Sequence, residues 1–472
     1  MSELLRRPVT ELLDCLARRE LSPVELMQAT LDRIDTLDGQ LGAIVARDDP
    51  ERLLAAAQEA ERRWQRGEAR LLEGVPLGVK DGEDAVGFVT THGSLPFRDD
   101  PPAQSDSIQV GRLRAAGAIV IGKTNLPEFG ATAITKNLLF GVTRNPWDLE
   151  RSPGGSSGGA AAAIAGGLLP LATAGDGGGS IRLPASMTGC FGMKPSYGRV
   201  PSEHPGIWVV DDTMCRGPLT RSVADAALHL DAVVGAHPLD PNSLPHPGHS
   251  YRDVLETLPP GLRIGYSADL GFAVVQSDVA EVAYDAARSF EGLGHSFHEV
   301  KLQAPDLGRD WGRVGALETW PELAHKLPDH EHEFGRAFIR GVVRGAEITP
   351  ERWGKMRRRR FELGRWCAEI FERFDLLLTP TLPFDPPLAK GPFPTETEGR
   401  AQPPVGVASF TIPFNLSWHP AASVRAGFSR AGLPVGLQIV AARHRDDLVL
   451  QAARAFERAR PWADHWPELT AA

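Results

Sequence analysis

Residues 151–183 read RSPGGSSGGAAAAIAGGLLPLATAGDGGGSIRL, two glycine-serine clusters joined by a run of alanine, isoleucine and leucine. Glycine allows backbone with φ > 0 and close approach to another group, at an entropic cost, so two such clusters in succession mark two turns facing one site. Between them, Gly158 to Gly167 is alanine-rich and helical in propensity, and Leu168 to Ala174 is an apolar run of strand length. The order is loop, helix, strand, loop. A helix packed back on its strand brings Ser156, Ser157 and Ser180 to the same edge of a sheet.

Outward from this stretch, strands and helices alternate. Upstream, Thr10 is placed as the cap of a first helix, and Ser22, Pro23 and Glu25 form a capping box with proline at the first helical position of a second. A third helix runs from Glu51 to Arg66 with Leu53, Leu54, Ala57 and Trp64 inside. Val75 to Val79 is a short apolar strand ending on Lys80-Asp81, where a lysine charge must be solvated or neutralised. Then come a helix at 106–116, a strand at 118–122, and Lys123-Thr124-Asn125.

Downstream, Gly189 to Val200 reads as a turn-rich connector, and Ser222 with Asp225 caps another helix. The alternation returns with strands at 262–266 and 296–300 around a helix at 278–291. Residues 305–375 interrupt it with a helical insertion carrying Trp311, Trp320, Trp353 and Trp366, suited to the variable wall of a pocket. Strands at 376–379, 422–426 and 435–440 and a helix at 446–457 complete the chain. This order predicts one α/β unit over 1–472 with a large, twisted, mixed and mainly parallel sheet. Its parts are an N-terminal helical segment (1–66), a core (67–235), the insertion and a C-terminal part of the sheet (376–472).

Composition bounds the function. The chain has 472 residues, 42% of them hydrophobic, and 51 basic against 60 acidic residues give a net charge of −9. That balance argues against binding a phosphate backbone, and the one basic run, Arg357 to Arg360, reads as a solvated helix face. No apolar run is long enough to cross a bilayer, and MSELLRRPVT has no signal-peptide core, so a cytoplasmic location is expected without a membrane partner. Cys15, Cys190, Cys215 and Cys367 are scattered, which indicates neither a zinc site nor a disulfide framework.

Three chemistries suit the clusters. A serine nucleophile can be activated by an unprotonated lysine, if burial lowers the lysine pKa. Lys80 is then the base, and the amides of Gly177, Gly178, Gly179 and Ser180 form an oxyanion hole, since successive glycines let several N–H groups point into one cavity. Alternatively, Gly154-Gly155-Ser156-Ser157-Gly158 satisfies GxSxG, but a nucleophile elbow needs a strand before it and Asn145 to Pro153 reads as loop. Lastly, PGGSSGGAAAA resembles the loop on which small-molecule kinases seat a phosphate. That reading leaves Lys80 and the second cluster without a role.

Taken together, GVPLGVKD (74–81), GKTNLPEFG (122–130), NPWD (145–148), SPGGSSGGAAAAIAGG (152–167), GDGGGSIRLPAS (175–186) and GMKPSYGRVP (192–201) resemble the amidase signature family. So do RGPLTRSVADAALHLDAVVG (216–235), LLLTPTLP (376–383) and GLPVGLQIV (432–440). The resemblance implies the family's fold, with helices on both faces of the sheet, and a Ser–cis-Ser–Lys triad. Ser180 takes the place of the nucleophile, Ser156 of the bridging serine with a cis peptide, and Lys80 of the base. Ser157 is expected to support Lys80, and Asp176 and Arg182 to fix the loop. Lys123 and Lys194, the competing lysines, are assigned to structural ion pairs, and His92, His204 and His419 to satisfied positions in loops. No metal or organic cofactor is implied.

Two departures from the family pattern stand out. Gly177 occupies a place where the family often has threonine. The stretch 202–216 differs from the subunit that works on misacylated tRNA and needs a partner protein. The expected function is therefore a stand-alone amidase, monomer or homodimer, for small, partly apolar amides, with esters and carbamates open to the same acyl-enzyme route. The alternatives are a phosphate-binding kinase and an amidotransferase subunit. Pocket walls are expected from 92–97, 130–140, 202–215 and 305–375.

Overall fold

The computed structural model describes residues 4–203 and 211–470. Its frame is one sheet of eleven strands. In chain order these are β1 (Ile44–Arg47), β2 (Pro76–Lys80), β3 (Ile119–Thr124), β4 (Leu171–Asp176), β5 (Phe191–Lys194) and β6 (Cys215–Thr220). They continue with β7 (Arg263–Tyr266), β8 (Ser296–Glu299), β9 (Leu376–Pro380), β10 (Ala421–Phe428) and β11 (Pro434–Ala441). Across the sheet the order is β1-β3-β2-β4-β6-β5-β10-β11-β9-β7-β8.

The sheet is mixed, but the expectation of a mainly parallel one is corrected. Parallel pairings join β3, β2 and β4 on one flank and β9, β7 and β8 on the other, while β4-β6-β5-β10-β11-β9 in the middle run antiparallel, as does β1 on β3. The reason lies in β5 and β6, which the sequence pattern hides. β5 sits inside the presumed connector, and β6 reads Cys-Arg-Gly-Pro-Leu-Thr, whose Gly-Pro resembles a turn signal. These two strands pair with each other and, with β10 and β11, lie between the two parallel flanks. β1 likewise escapes the pattern, being only four residues long.

The helices that matter below are α1 (Val9–Ala17), α2 (Pro23–Leu41), α3 (Pro50–Arg66), α4 (Ile108–Ala115), α5 (Gly158–Ala165) and α6 (Arg182–Thr188). After them come α7 (Val223–Val233), α8 (Ser277–Gly292), α9 (Gly308–Leu323), α10 (Arg336–Val343), α11 (Pro350–Arg373) and α12 (Asp446–Ala459). Local chemistry sets several of their ends. Ser22 Oγ accepts from the Glu25 amide at 3.1 Å while the Glu25 carboxylate accepts from the Ser22 amide at 2.9 Å, closing the capping box of α2. Ser222 accepts from the Asp225 amide at 3.1 Å at the start of α7. Thr10 does not cap α1; it lies within the helix, and its amide and hydroxyl both donate to Asp225, tying α1 to α7.

Every residue of β11 is buried, although successive side chains point to opposite faces. Both faces are therefore covered, with Gln438 turned toward Arg182 of α6. One hydrophobic core runs from Val9 to Trp466 and includes residues of almost every strand. All four cysteines are free and buried. The run Arg357 to Arg360 is more than a solvated face. Arg357 and Arg360 meet Asp212, and Arg359 meets Asp310, so these ion pairs hold α11 against its neighbours.

Candidate active site

β2 and β4 are adjacent parallel strands, and both end at the same edge of the sheet. Lys80 is the last residue of β2, 4% exposed, and its amide donates to Thr173 Oγ1 of β4 at 2.9 Å. Its Nζ lies 2.8 Å from Ser156 Oγ, 3.0 Å from Ser157 Oγ and 3.4 Å from the Gly175 carbonyl. The Gly155–Ser156 peptide is cis. Burial, reinforced by the charge of Arg216 and only partly offset by Glu83 and Asp176, lowers the Lys80 pKa to about 7. Near neutrality the amine is therefore available to take a proton.

The two glycine-serine clusters do meet. The Ser157 amide donates to the Ser180 carbonyl at 3.2 Å. Ser180 follows β4 by four residues and is partly exposed in an otherwise buried run. No strand leads directly into Gly154, so the geometry of a nucleophile elbow is absent. The serines of the first cluster are turned to Lys80.

Asp176, the last residue of β4, organises the second cluster. Its carboxylate accepts from the amides of Gly179 (2.6 Å), Ile181 (3.2 Å) and Arg182 (3.4 Å), and from Arg182 Nε and Nη2, both at 2.9 Å. Burial opposes the charge, yet the Arg182 guanidinium and the Asn415 amide outweigh it and hold the carboxyl far below the usual range. Arg182 is itself fully buried, donating to Thr411 O at 3.1 Å and Gln438 Oε1 at 2.7 Å.

The loop carbonyls are held outward. Gly177 O accepts from Trp311 Nε1 at 2.8 Å and Thr213 Oγ1 at 2.9 Å, and Gly178 O accepts from Thr411 Oγ1 at 2.7 Å. In a trans peptide the N–H points opposite to the C=O. The Gly178 amide is therefore turned away from Trp311 and Thr213. Among the described residues the amides of Gly177, Gly178 and Ser180 have no partner, whereas that of Gly179 is committed to Asp176. Of the four amides expected to form an oxyanion hole, that of Gly179 is the one engaged by a carboxylate. Glycine is required twice here. Gly179 has φ 132°, and a Cβ on Gly178 would fall 2.5 Å from the Trp311 ring.

Trp311, on α9, also lines a cavity of about 670 Å³. Its walls come from 128–138, 311–319, 335–342 and 391–393. Parts of the segments 130–140 and 305–375 therefore line this cavity, whereas no sequence signal marks 391–393. Residues 92–97 do not line it: the His92 ring stacks on Phe129 and meets Phe97 edge-on. Of the stretch 202–215, residues 204–210 lie outside the described residues, His204 among them.

Residues 25–450 match the family model described as Amidase. The chain is 36% identical to an acylamidase of Rhodococcus erythropolis, over 97% of this chain and 96% of that protein. The chain belongs to the amidase signature family. The activity of that family is the cleavage of amide C–N bonds. A bacterial aryl acylamidase of the same family superposes with a TM-score of 0.90 at 32% identity, covering 97% of each chain. A glutamyl-tRNA(Gln) amidotransferase subunit of Geobacter metallireducens is 35% identical over 98% of each chain.

The remaining candidates find other places. Lys123 lies 3.7 Å from Asp81, both buried, and also donates to the Glu83 carbonyl. Contrary to expectation, Lys194 has no ion pair among the described residues: its Nζ donates to the Pro195 carbonyl at 2.8 Å and approaches Cys215 Sγ at 3.7 Å. His419 stacks on Phe371 and bonds Ser417 Oγ at 2.9 Å, and burial lowers its pKa to about 3. Thr411, Asn415 and Gln438 are not marked as site residues in the sequence, and Trp311 reads there only as part of a pocket wall. Of the four, Gln438 alone sits in a telling motif, LPVGLQIV.

Proposed function

We propose that this protein is an amide hydrolase, acting as a single unit through a seryl acyl-enzyme, with Ser180 as nucleophile, Ser156 as bridge and Lys80 as base. The observation that carries the reading is the buried Lys80 amine, 2.8 Å from Ser156 Oγ, with a pKa lowered to about 7. Ser180 Oγ attacks the carbonyl carbon as its proton passes to Ser156 and the Ser156 proton passes to Lys80. The developing oxyanion accepts from the free amides of Gly177, Gly178 and Ser180. As the tetrahedral adduct collapses, the proton returns from Lys80 through Ser156 to the leaving nitrogen, and the amine departs. Water then enters, loses its proton along the same path and releases the acid. Esters and carbamates present the same carbonyl and follow the same route.

The reading is tested with the purified chain and an aryl amide. Hydrolysis that is lost in Ser180→Ala, with a serine-reactive fluorophosphonate attached to Ser180 by mass spectrometry, supports it. Full activity in Ser180→Ala removes it. The 35% identity to an amidotransferase subunit supports a second reading, in which the ammonia expelled as the acyl-enzyme forms passes to another site and water then releases the acid. Hydrolysis that depends on a copurifying tRNA-binding subunit would favour that reading.

A further inference from the structure

α9 and α10 pack against each other, and three glycines of this region behave differently. Gly345, in the turn after α10, is needed for packing, because a Cβ there would fall 2.1 Å from the Ala316 carbonyl oxygen. Gly312 in α9 and Gly341 in α10 are not. A Cβ at either would meet no atom within 4 Å, and neither has the positive φ that demands glycine. Inside a helix each is destabilising relative to alanine. Packing and backbone geometry leave that cost unexplained. Both residues line the cavity of about 670 Å³ that Trp311 joins to the Gly177-Gly178 loop.

We infer that Gly312 and Gly341 set the size of substrate this protein accepts, by reserving room for a bulky apolar arm on the scissile amide. A cavity of this volume suits a drug-sized ligand. Its facing walls carry Ile134, Phe338, Val342 and Phe393. The one buried acid on the lining, Glu128, is occupied by the Ser94 hydroxyl at 2.7 Å and the Gly335 amide at 2.8 Å. The lining cations, Lys136 and Arg336, have exposed side chains. The buried part of the cavity thus selects by size and apolarity, and the substrate class is a long-chain or bulky aryl amide, not one of acetamide or glutamine size. For its chemistry the inference rests on the amide-hydrolase reading. For binding it does not.

The test separates the two. Binding of N-methyldecanamide and of N-decylacetamide, which place the apolar arm on the acyl and amine sides respectively, is measured by calorimetry on Ser180→Ala protein. The same is done after adding Gly312→Leu, Gly341→Leu, or Gly364→Leu as a control in α11, where a Cβ also meets no atom and the position is off the cavity. A leucine in the cavity displaces a few methylenes of ligand, so affinity for at least one probe falls roughly ten- to a hundred-fold in the first two variants and is unchanged in the control. Gly312→Ala, which keeps the helix and strengthens it, raises the melting temperature while weakening the same probe. No binding of either probe, or undiminished binding of both in variants with native circular dichroism, overturns the inference. Binding as expected with no hydrolysis by the Ser180 protein counts against the amide-hydrolase reading alone.

Discussion

Trp311 Nε1 donates to the Gly177 carbonyl at 2.8 Å, across 134 residues of chain, and its ring lies against Gly178. One side chain of the insertion thereby orients the peptide whose N–H is left free. Trp311→Phe keeps most of the ring and deletes the donor. Direct removal of an oxyanion donor typically lowers kcat about 10²- to 10³-fold; Trp311 acts through the loop, so a fall of roughly ten-fold is expected with KM nearly unchanged. Steady-state kinetics on one aryl amide decides it, and a change confined to KM would assign Trp311 to the pocket wall alone.

Lys80 must be unprotonated to accept a proton, and its pKa is lowered to about 7. kcat/KM should therefore rise as pH passes through about 7 and level off above it. Lys80→Ala should lose activity by roughly 10²- to 10⁴-fold, the usual scale of general base catalysis. A flat profile between pH 6 and 8 with full activity would assign the base elsewhere.

The same lysine has a cost in stability. Its folded pKa lies below the ordinary value of 10.5, so between about 7 and 10.5 the unfolded chain binds more protons and stability from this group rises with pH. Below about 7 the penalty is complete. Lys80→Met should raise the melting temperature of an inactive protein, with the gain over wild type shrinking as pH rises from 7 toward 10. Thermal melts across that range read the difference directly.

Asp176 has the opposite sign. Its pKa is held below the ordinary 3.8, so its contribution is present above that value and is lost as pH falls further through the folded pKa. Arg182→Ala leaves the carboxylate buried without its partner, and breaking such a pair costs about 3–5 kcal/mol. Urea titration of the variant at pH 7 measures this, and a loss below 1 kcal/mol would mean that water or Asn415 replaces the guanidinium.

At the start of α2, Ser22→Ala removes one half of a capping box. It should cost about 1 kcal/mol of stability and leave kcat/KM untouched. This serves as a reference for variants near the site.

What the sequence shows depends on how local the physics is. The caps at Ser22 and Ser222 lie within four residues of their partners, and both are legible. So is the end of β2 at Lys80, because a lysine closing an apolar strand breaks the pattern. β5 and β6 are not legible, since Lys194, Arg216 and a Gly-Pro pair disguise buried strands whose partners lie far along the chain. Lys194 misleads in the same way: a buried lysine suggests a carboxylate, yet a backbone carbonyl and a thiol receive it. Four glycine-rich amides suggest four donors, and only the position of Asp176 shows that Gly179 is taken.

The position of β10 and β11 bears on the order of assembly. These strands, spanning 421–441, lie between β5 and β9 and join the flank carrying Lys80 and Ser180 to the flank built from 263–299 and 376–380. Both flanks precede in the chain the hairpin that pairs with each of them, so until it is made neither flank has its inner edge paired as in the finished sheet. Gln438, which orients the Arg182 guanidinium, arrives on that hairpin. The loop that bears Ser180 thus lacks the Gln438–Arg182 contact until that hairpin is made, so the setting of Ser180 depends on the last strands of the chain.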